Sequence, residues 1–352
     1  MSDNRRTRTR KGAPGIVEVA ARAGVSPATV SRFFNNPGIV RPKTRVKIEK
    51  AAEDLGFIRD RMAGALHNRF SGTIGLIVPT IDNAIFAELI QAFAARLRHH
   101  DRTMLVAAHN YDLKIEIGIV RSLLERRIDG VAVIGFDHEL ASMEMLATRN
   151  VPVLSVWNYR EDSRLPCVGT DNRDAGRQVV SHLLEKGHRD IALLFPPVAS
   201  NDRAKDRYES ALEALRENHV PASSIRLLES IYDIGAAKQI IVSMLQERPP
   251  TAIICGNDIL AQGALYACQK CGFDVPGQIS IIGIGDFRGS AHMEPALTTV
   301  RLPARQIGEA AADMLCSGKP LVVGNKTQRV HIPSVFVERE SVGAPDSQRA
   351  PS

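Results

Sequence analysis

A chain of 352 residues with 44% hydrophobic side chains is too long for one ordinary domain and can bury a large core. No apolar run approaches the roughly 18 residues a membrane span needs, and the basic N-terminus leads into no hydrophobic stretch, so a spanning helix and a secretion signal are excluded and a cytoplasmic protein is expected. The net charge of +6 is unevenly spread: residues 1–66 hold 14 Lys and Arg against 6 Asp and Glu, a net +8, which leaves 31 against 33 for the remainder. That is the electrostatic footprint of a nucleic-acid-binding head on a near-neutral body.

Residues 1–14, with Arg5, Arg6, Arg8, Arg10 and Lys11, read as a disordered basic tail that either touches phosphates or is merely solvated. Residues 15–58 read as a helix-turn-helix DNA-binding domain. A short helix over Val17 to Ala23 stops at Gly24, which supplies the positive φ of a tight turn. Ser26 caps the next helix, with Pro27 at its first position, where a missing N–H costs nothing. Val30 and Phe33 face inward with Val19 and Ala20, and Ala28, Thr29, Ser31 and Arg32 form a small, polar, basic outer face suited to a reading helix. A third helix starts at Pro42, carries Ile48, Ala51, Ala52 and Leu55 on one stripe, and stops at Gly56. Residues 59–71 form a hinge helix and linker, marginal in isolation because it is short and contains Gly64.

From Thr73 the pattern changes to short β-branched runs separated by helical stretches. Ile74–Val78, Met104–Ala108, Val131–Ile134 and Val153–Val156 read as buried parallel strands, with helices over Phe86–His99 and Leu113–Arg126. The alternation restarts with strands Ile191–Phe195, Ile225–Leu228, Ala252–Cys255 and Ile279–Ile284 and helices Tyr208–Asn218, Ala236–Glu247 and Ile259–Cys271. The predicted fold class is therefore α/β: an all-α head, then a two-lobed body of doubly wound parallel sheets over residues 72–340, with ligand binding expected at the carboxyl ends of the strands. Lobe one is placed at about 72–168 and 300–325, lobe two at about 169–299 and 326–340, and 341–352 as a disordered tail. Cys268-x-x-Cys271 has no second pair nearby; a zinc or redox role is an alternative to the expected free thiols, and no metal or cofactor is assigned.

The ordered set Val19-Ala-x-x-Ala-Gly24-Val-Ser26-x-x-Thr29-Val-Ser-Arg32, Lys43-Thr-Arg45, Leu55-Gly-Phe57, Ile74-Gly-Leu-Ile-Val-Pro79, Phe86-Ala-Glu88, Gly187-His-Arg-x-Ile191, Asn257-Asp258-x-x-Ala-x-Gly263 and Pro295-x-Leu-Thr-Thr299 resembles the LacI/GalR family of transcription regulators over nearly the whole chain. The run Gly283-Ile-Gly-Asp-Phe287, with Met293-Glu-Pro, is most similar to the gluconate-repressor branch. For the head, the resemblance implies that Pro27, Ala28 and Arg32 read base edges, Arg32 as a bidentate fork to guanine, while Ser26, Thr29, Ser31 and Asn35 bond phosphates or stabilise the head. Arg41, at a helix start where its charge opposes the dipole, is expected to meet a phosphate. Arg61, Ala63 and Leu66 lie on the hinge helix, with Leu66 wedging into a minor-groove step; ordinary packing is its alternative role. Arg59-Asp60 replaces the family's usual Pro-Asn hinge opening, which puts a carboxylate near phosphates.

For the body, the resemblance implies a small polar effector between the lobes, touched by Ile85, Phe86, Arg203, Arg207, Tyr232, Asn257 and Asp286; Asp286 is displaced by one position from the family's usual carboxylate. A sugar acid such as gluconate fits Arg203, Lys205 and Arg207 clustered at a predicted helix start, although Asp202 and Asp206 interleave with them. A neutral sugar and a purine corepressor stand as alternatives. No nucleophile elbow, P-loop or paired-His metal motif is present, so no catalytic residue and no enzyme activity is assigned. The expected partners are a double-stranded operator, the effector and a second copy of the chain; the residues after Glu340 carry no leucine heptads, which favours a homodimer over a tail-bundled tetramer.

Overall fold

The computed structural model describes residues 14–58, 71–324 and 326–346, and the chain divides into two units, 1–71 and 72–352. In the first, helix α1 (Ile16–Ala23) ends at Gly24, whose φ of 68° is the left-handed value its position requires. Helix α2 (Pro27–Asn35) starts at a proline, and its cap Ser26 accepts the Thr29 amide at 3.2 Å. Helix α3 (Pro42–Leu55) closes the unit. Arg45 holds the loop before it, its Nε donating to the Val40 carbonyl at 2.7 Å. Val19, Ala20, Val30, Phe33 and Ile48 form the buried centre of this unit. The basic tail to residue 13 and the hinge positions Arg61, Ala63 and Leu66 lie outside the described residues.

The second unit is two α/β lobes. Lobe one takes β1 (Thr73–Val78), α4 (Ala84–His99), β2 (Thr103–Ala108), α5 (Leu113–Glu125), β3 (Gly130–Ile134), α6 (Leu140–Thr148), β4 (Val153–Asn158) and β5 (Cys167–Thr170). Lobe two takes α7 (Asn172–Glu185), β6 (Ile191–Phe195), α8 (Asp202–Glu217), β7 (Ile225–Glu229), α9 (Ile234–Glu247), β8 (Ala252–Cys255), α10 (Asp258–Cys271), β9 (Ser280–Gly285) and β10 (Thr298–Arg301). The chain then returns to lobe one with α11 (Ala304–Cys316), which packs on α4. It ends with the small pair β11 (Val322–Val323) and β12 (Lys326–Thr327), then β13 (Arg329–His331) and β14 (Val335–Val337). The sheet orders are β13-β5-β4-β3-β1-β2 and β14-β10-β9-β8-β6-β7, so the lobes repeat one topology. Within these two sheets pairing is parallel except between β10 and β14, and the separate pair β11–β12 is antiparallel. β3, β6 and β8 are buried along their length because helices cover both faces of each sheet, whereas the edge strands β2 and β7 are half open.

Two boundaries differ from the sequence reading. Residues 326–340 were assigned to lobe two, but Arg329–His331 pairs with Cys167–Gly169 in the first sheet, so the last crossing falls between His331 and Val335. The tail was placed from 341, yet Ser341 is fully buried, donating to the Ile281 carbonyl at 2.6 Å and accepting the Thr298 amide at 2.9 Å; Val342 packs into the core beside it. Among the described residues no helix is long and apolar enough to cross a membrane.

Candidate functional site

The outer surface of α2 keeps Ser26, Pro27, Ala28, Arg32 and Asn35 exposed, with Thr29 and Ser31 half-buried. All three hydroxyls on this face are engaged locally. Thr29 shares a 2.8 Å hydrogen bond with the Ser26 hydroxyl, and Ser31 accepts the Asn35 amide at 3.4 Å. Arg41 is exposed at the start of α3, where its side chain makes no capping bond. The face is therefore flat and small beside Pro27 and Ala28, with the Arg32 guanidinium projecting from it, as major-groove insertion needs.

The body's cleft forms where the carboxyl ends of both sheets face each other. Six of the seven expected effector residues line one space there: Ile85, Phe86, Arg203, Arg207, Tyr232 and Asn257, together with Asn83, Tyr111, Trp157, Asn201, Ile284, Phe287 and Leu302. Its inner part is about 20 Å³, room for little more than one water molecule. Beyond it a chamber of about 470 Å³ opens between Thr80, Asn110, Pro196, Ile231 and Ile259. Tyr111 of lobe one and Tyr232 of lobe two border both spaces, their ring centroids 5.8 Å apart. Burial pushes the Tyr111 hydroxyl well above its ordinary pKa, so it stays protonated and can donate.

The lobes are tied across this space from the first turn of α8. Asp202, which is almost fully buried, accepts the Phe136 amide and the Asn158 side-chain amide, both at 2.8 Å from lobe one. Arg203 donates through one Nη to Asp202 at 2.8 Å and to the Ile134 carbonyl of lobe one at 3.3 Å. Gly135, at φ 81°, makes this approach possible: a Cβ there would lie 2.5 Å from both the Arg203 guanidinium and the Asp202 carboxylate. The relay continues as Asn172 donates to Asn158 and Arg207 donates to Asn172, each at 2.6 Å. Nearer the surface Arg160 pairs with Asp206 at 3.2 Å.

Arg207 stands apart from its neighbours. It is buried, its pKa is lowered by that burial, and it is in no ion pair within 4.0 Å among the described residues. Its Nε and the Nδ2 of Asn257 have no hydrogen-bond partner, although Asn257 Oδ1 caps α10 by accepting the Leu260 amide at 3.0 Å. Buried donors left in this state cost free energy until an acceptor arrives. The cavity thus holds a buried cation and an unused amide donor inside a wall of aromatic rings.

Asp286 does not line the space. Its carboxylate accepts Arg301 Nε and Arg339 Nη2, both at 2.6 Å, tying the end of β10 to the segment after β14; the neighbouring Phe287 reaches the cavity instead. Sequence reasoning missed Trp157, Tyr111, Asn83 and Asn201. Trp157 is the chain's single tryptophan and directly follows the strand predicted over Val153–Val156, a signal the sequence carries. Tyr111 sits in a strand-to-helix turn where the residue type alone says little.

Two family profiles match the chain: bacterial regulatory proteins of the lacI family over residues 15–60, and the periplasmic binding protein-like domain over residues 180–342. The HTH-type transcriptional regulator GntR of Escherichia coli (strain K12) is 32% identical over 312 residues, 87% of this chain and 92% of the relative. The HTH-type transcriptional repressor PurR of Edwardsiella ictaluri is 28% identical over 330 residues, 93% of this chain and 96% of the relative. Among solved structures, the lac repressor dimer bound to operator and the anti-inducer ONPF superposes with a TM-score of 0.80 at 27% identity, covering 94% of this chain and 99% of that one.

Proposed function

The chain belongs to the LacI family of bacterial regulatory proteins and is a DNA-binding transcriptional regulator, and from that premise we propose that it is a repressor whose effector is a sugar acid such as gluconate, held between the two lobes. The observation that carries this reading is Arg207, a buried guanidinium with no carboxylate partner and an unused Nε, beside the unused amide of Asn257. A carboxylate is the natural counterpart of such a group, since a charged hydrogen bond in a dry site replaces the lost hydration. The surrounding rings of Phe86, Trp157, Tyr111 and Tyr232 suit the apolar face of a carbon chain bearing hydroxyls. The likeness to GntR accords with this choice.

On this reading two copies of the chain set two heads on adjacent half-sites of a pseudo-palindromic operator. Arg32 reads a guanine, Pro27 and Ala28 touch base edges, and Ser26, Thr29, Ser31, Asn35 and Arg41 meet or support the phosphate contacts. Hinge residues Arg61, Ala63 and Leu66 pair across the centre, with Leu66 in the minor groove. With only about 20 Å³ free in the inner cleft, effector entry has to shift the Tyr111–Tyr232 pair or the lobes themselves. Operator affinity then changes by the effector's differential affinity for the two arrangements.

A neutral sugar or a purine corepressor is the second reading, favoured by the aromatic lining and by the likeness to PurR. One assay separates the two. The purified full chain is titrated calorimetrically with gluconate, other aldonates, the matching neutral sugars and purines. The expected result is binding of the acids alone, with loss of that binding in Arg207→Gln. Tight binding of a neutral sugar or a purine, with no response to the acids, overturns the sugar-acid reading.

A further inference from the structure

We propose that Asp202 sets the charge of the effector: by taking up Arg203 it leaves the cleft with one unmatched cation, so the site accepts a singly charged acid and rejects a doubly charged one. This rests on the sugar-acid reading above and narrows it.

The argument is a charge inventory of the α8 start and of what faces it. Arg203 is paired with Asp202 at 2.8 Å, Asp206 with Arg160 at 3.2 Å, and the exposed Lys205 lies 3.9 Å from Glu209. Arg207 alone in that group keeps an unpaired charge in a buried position. In a low-dielectric site an added charge is tolerated only when a partner meets it. One carboxylate on Arg207 closes the balance. A second carboxylate, or a phosphate, finds an unmatched cation only by drawing Arg203 away from Asp202.

That exchange is obstructed. Asp202 is fixed by the Phe136 amide, the Asn158 amide and its own helix's Arg203 amide, so it cannot leave when Arg203 does. Removing Arg203 therefore strands a buried carboxylate without its cation. The Ile134 carbonyl, which also takes the Arg203 guanidinium, would lose its partner too. Asp202 is a specificity residue that acts through Arg203, with no contact of its own to the guest required.

The test compares acids of equal chain length on the full-length protein at fixed ionic strength and neutral pH: gluconate with one carboxylate, glucarate with two, and glucose with none. The wild type is expected to bind gluconate at least tenfold more tightly than glucarate. In Asp202→Asn, which keeps one of the two acceptor oxygens and frees the Arg203 charge, that ratio is expected to fall toward one. Glucarate binding the wild type as tightly as gluconate overturns this proposal while leaving the sugar-acid reading intact. Binding of glucose alone overturns both. An Asp202→Asn protein that folds, by circular dichroism, and keeps the full preference for gluconate also overturns it. The wild-type ranking needs no variant, so it decides the matter even where the substitution fails to fold.

Discussion

Two arginines show how position decides what one side chain can do. Arg32 is exposed on the outer side of α2, which is what a groove-reading contact needs. Arg207 is enclosed, its Nε idle, and its charge has value only when a guest arrives. Replacing Arg32 with alanine is expected to remove about 1–3 kcal/mol of discrimination at one base pair. Competition binding across a set of single-base operator variants measures it, and a uniform loss at every position would instead make Arg32 a phosphate contact. The one-position displacement of Asp286 in the sequence warns of a departure without saying where its charge goes. Its neighbours in sequence suggest a ligand carboxylate, but Arg301 and Arg339 converge on it from 15 and 53 positions away. Which charges meet through the fold is information that local spacing does not hold.

At the scale of elements, legibility followed chemistry. The apolar runs of β1, β3, β6 and β8 announce themselves because helices bury both of their faces. Helix α7 was not read from the sequence: its buried stripe contains Asn172, Gly176 and His182, which blur the helical period. Strand β13 has three exposed residues and owes its existence to pairing with β5, so no pattern of its own marks it. Helices α6 and α11 and strands β5, β10 and β14 carry no assignment either, because Cys-Val-Gly-Thr and Thr-Thr-Val-Arg hold no apolar run and Val-Phe-Val is three residues long. In the cleft, Arg203 and Arg207 are legible as cations clustered at a helix start, Ile85, Phe86, Tyr232 and Asn257 only through the family resemblance, and Tyr111 and Trp157 are not assigned. The head is the element group most exposed to damage, for its core is small. Ile48→Ala, at a fully buried site, is expected to cost about 2–5 kcal/mol. That is enough to melt the head and abolish operator binding, while calorimetric effector binding by the body persists. A variant that still binds operator with unchanged affinity would show that the head's stability is drawn from elsewhere.

The whole molecule carries a pH dependence set by buried imidazoles. Burial lowers the pKa of His109, His182 and His188, the last held by Thr251 at 3.0 Å and the Gly343 carbonyl at 2.9 Å. In the unfolded chain these groups take up protons from about pH 6.5 downward, whereas the folded chain resists until lower pH. The unfolded state therefore binds more protons in that window, and stability present above pH 6.5 is lost as the pH falls through the folded values. Urea midpoints are expected to drop between pH 7.5 and pH 5.5, with a shallower slope in His188→Gln; a midpoint that does not move contradicts the argument.

Trp157, next to last in β4, stands in the cavity wall, 2% exposed and 5.1 Å from the Phe86 ring. Because the chain has one indole and no other, all tryptophan emission originates at the place where a guest would sit. The polypeptide is thus supplied with an optical gauge of its own: a change in colour or intensity of that single fluorophore reports on the cleft without any label, and a stopped-flow trace of it would time the arrival of a ligand in an otherwise unmodified molecule.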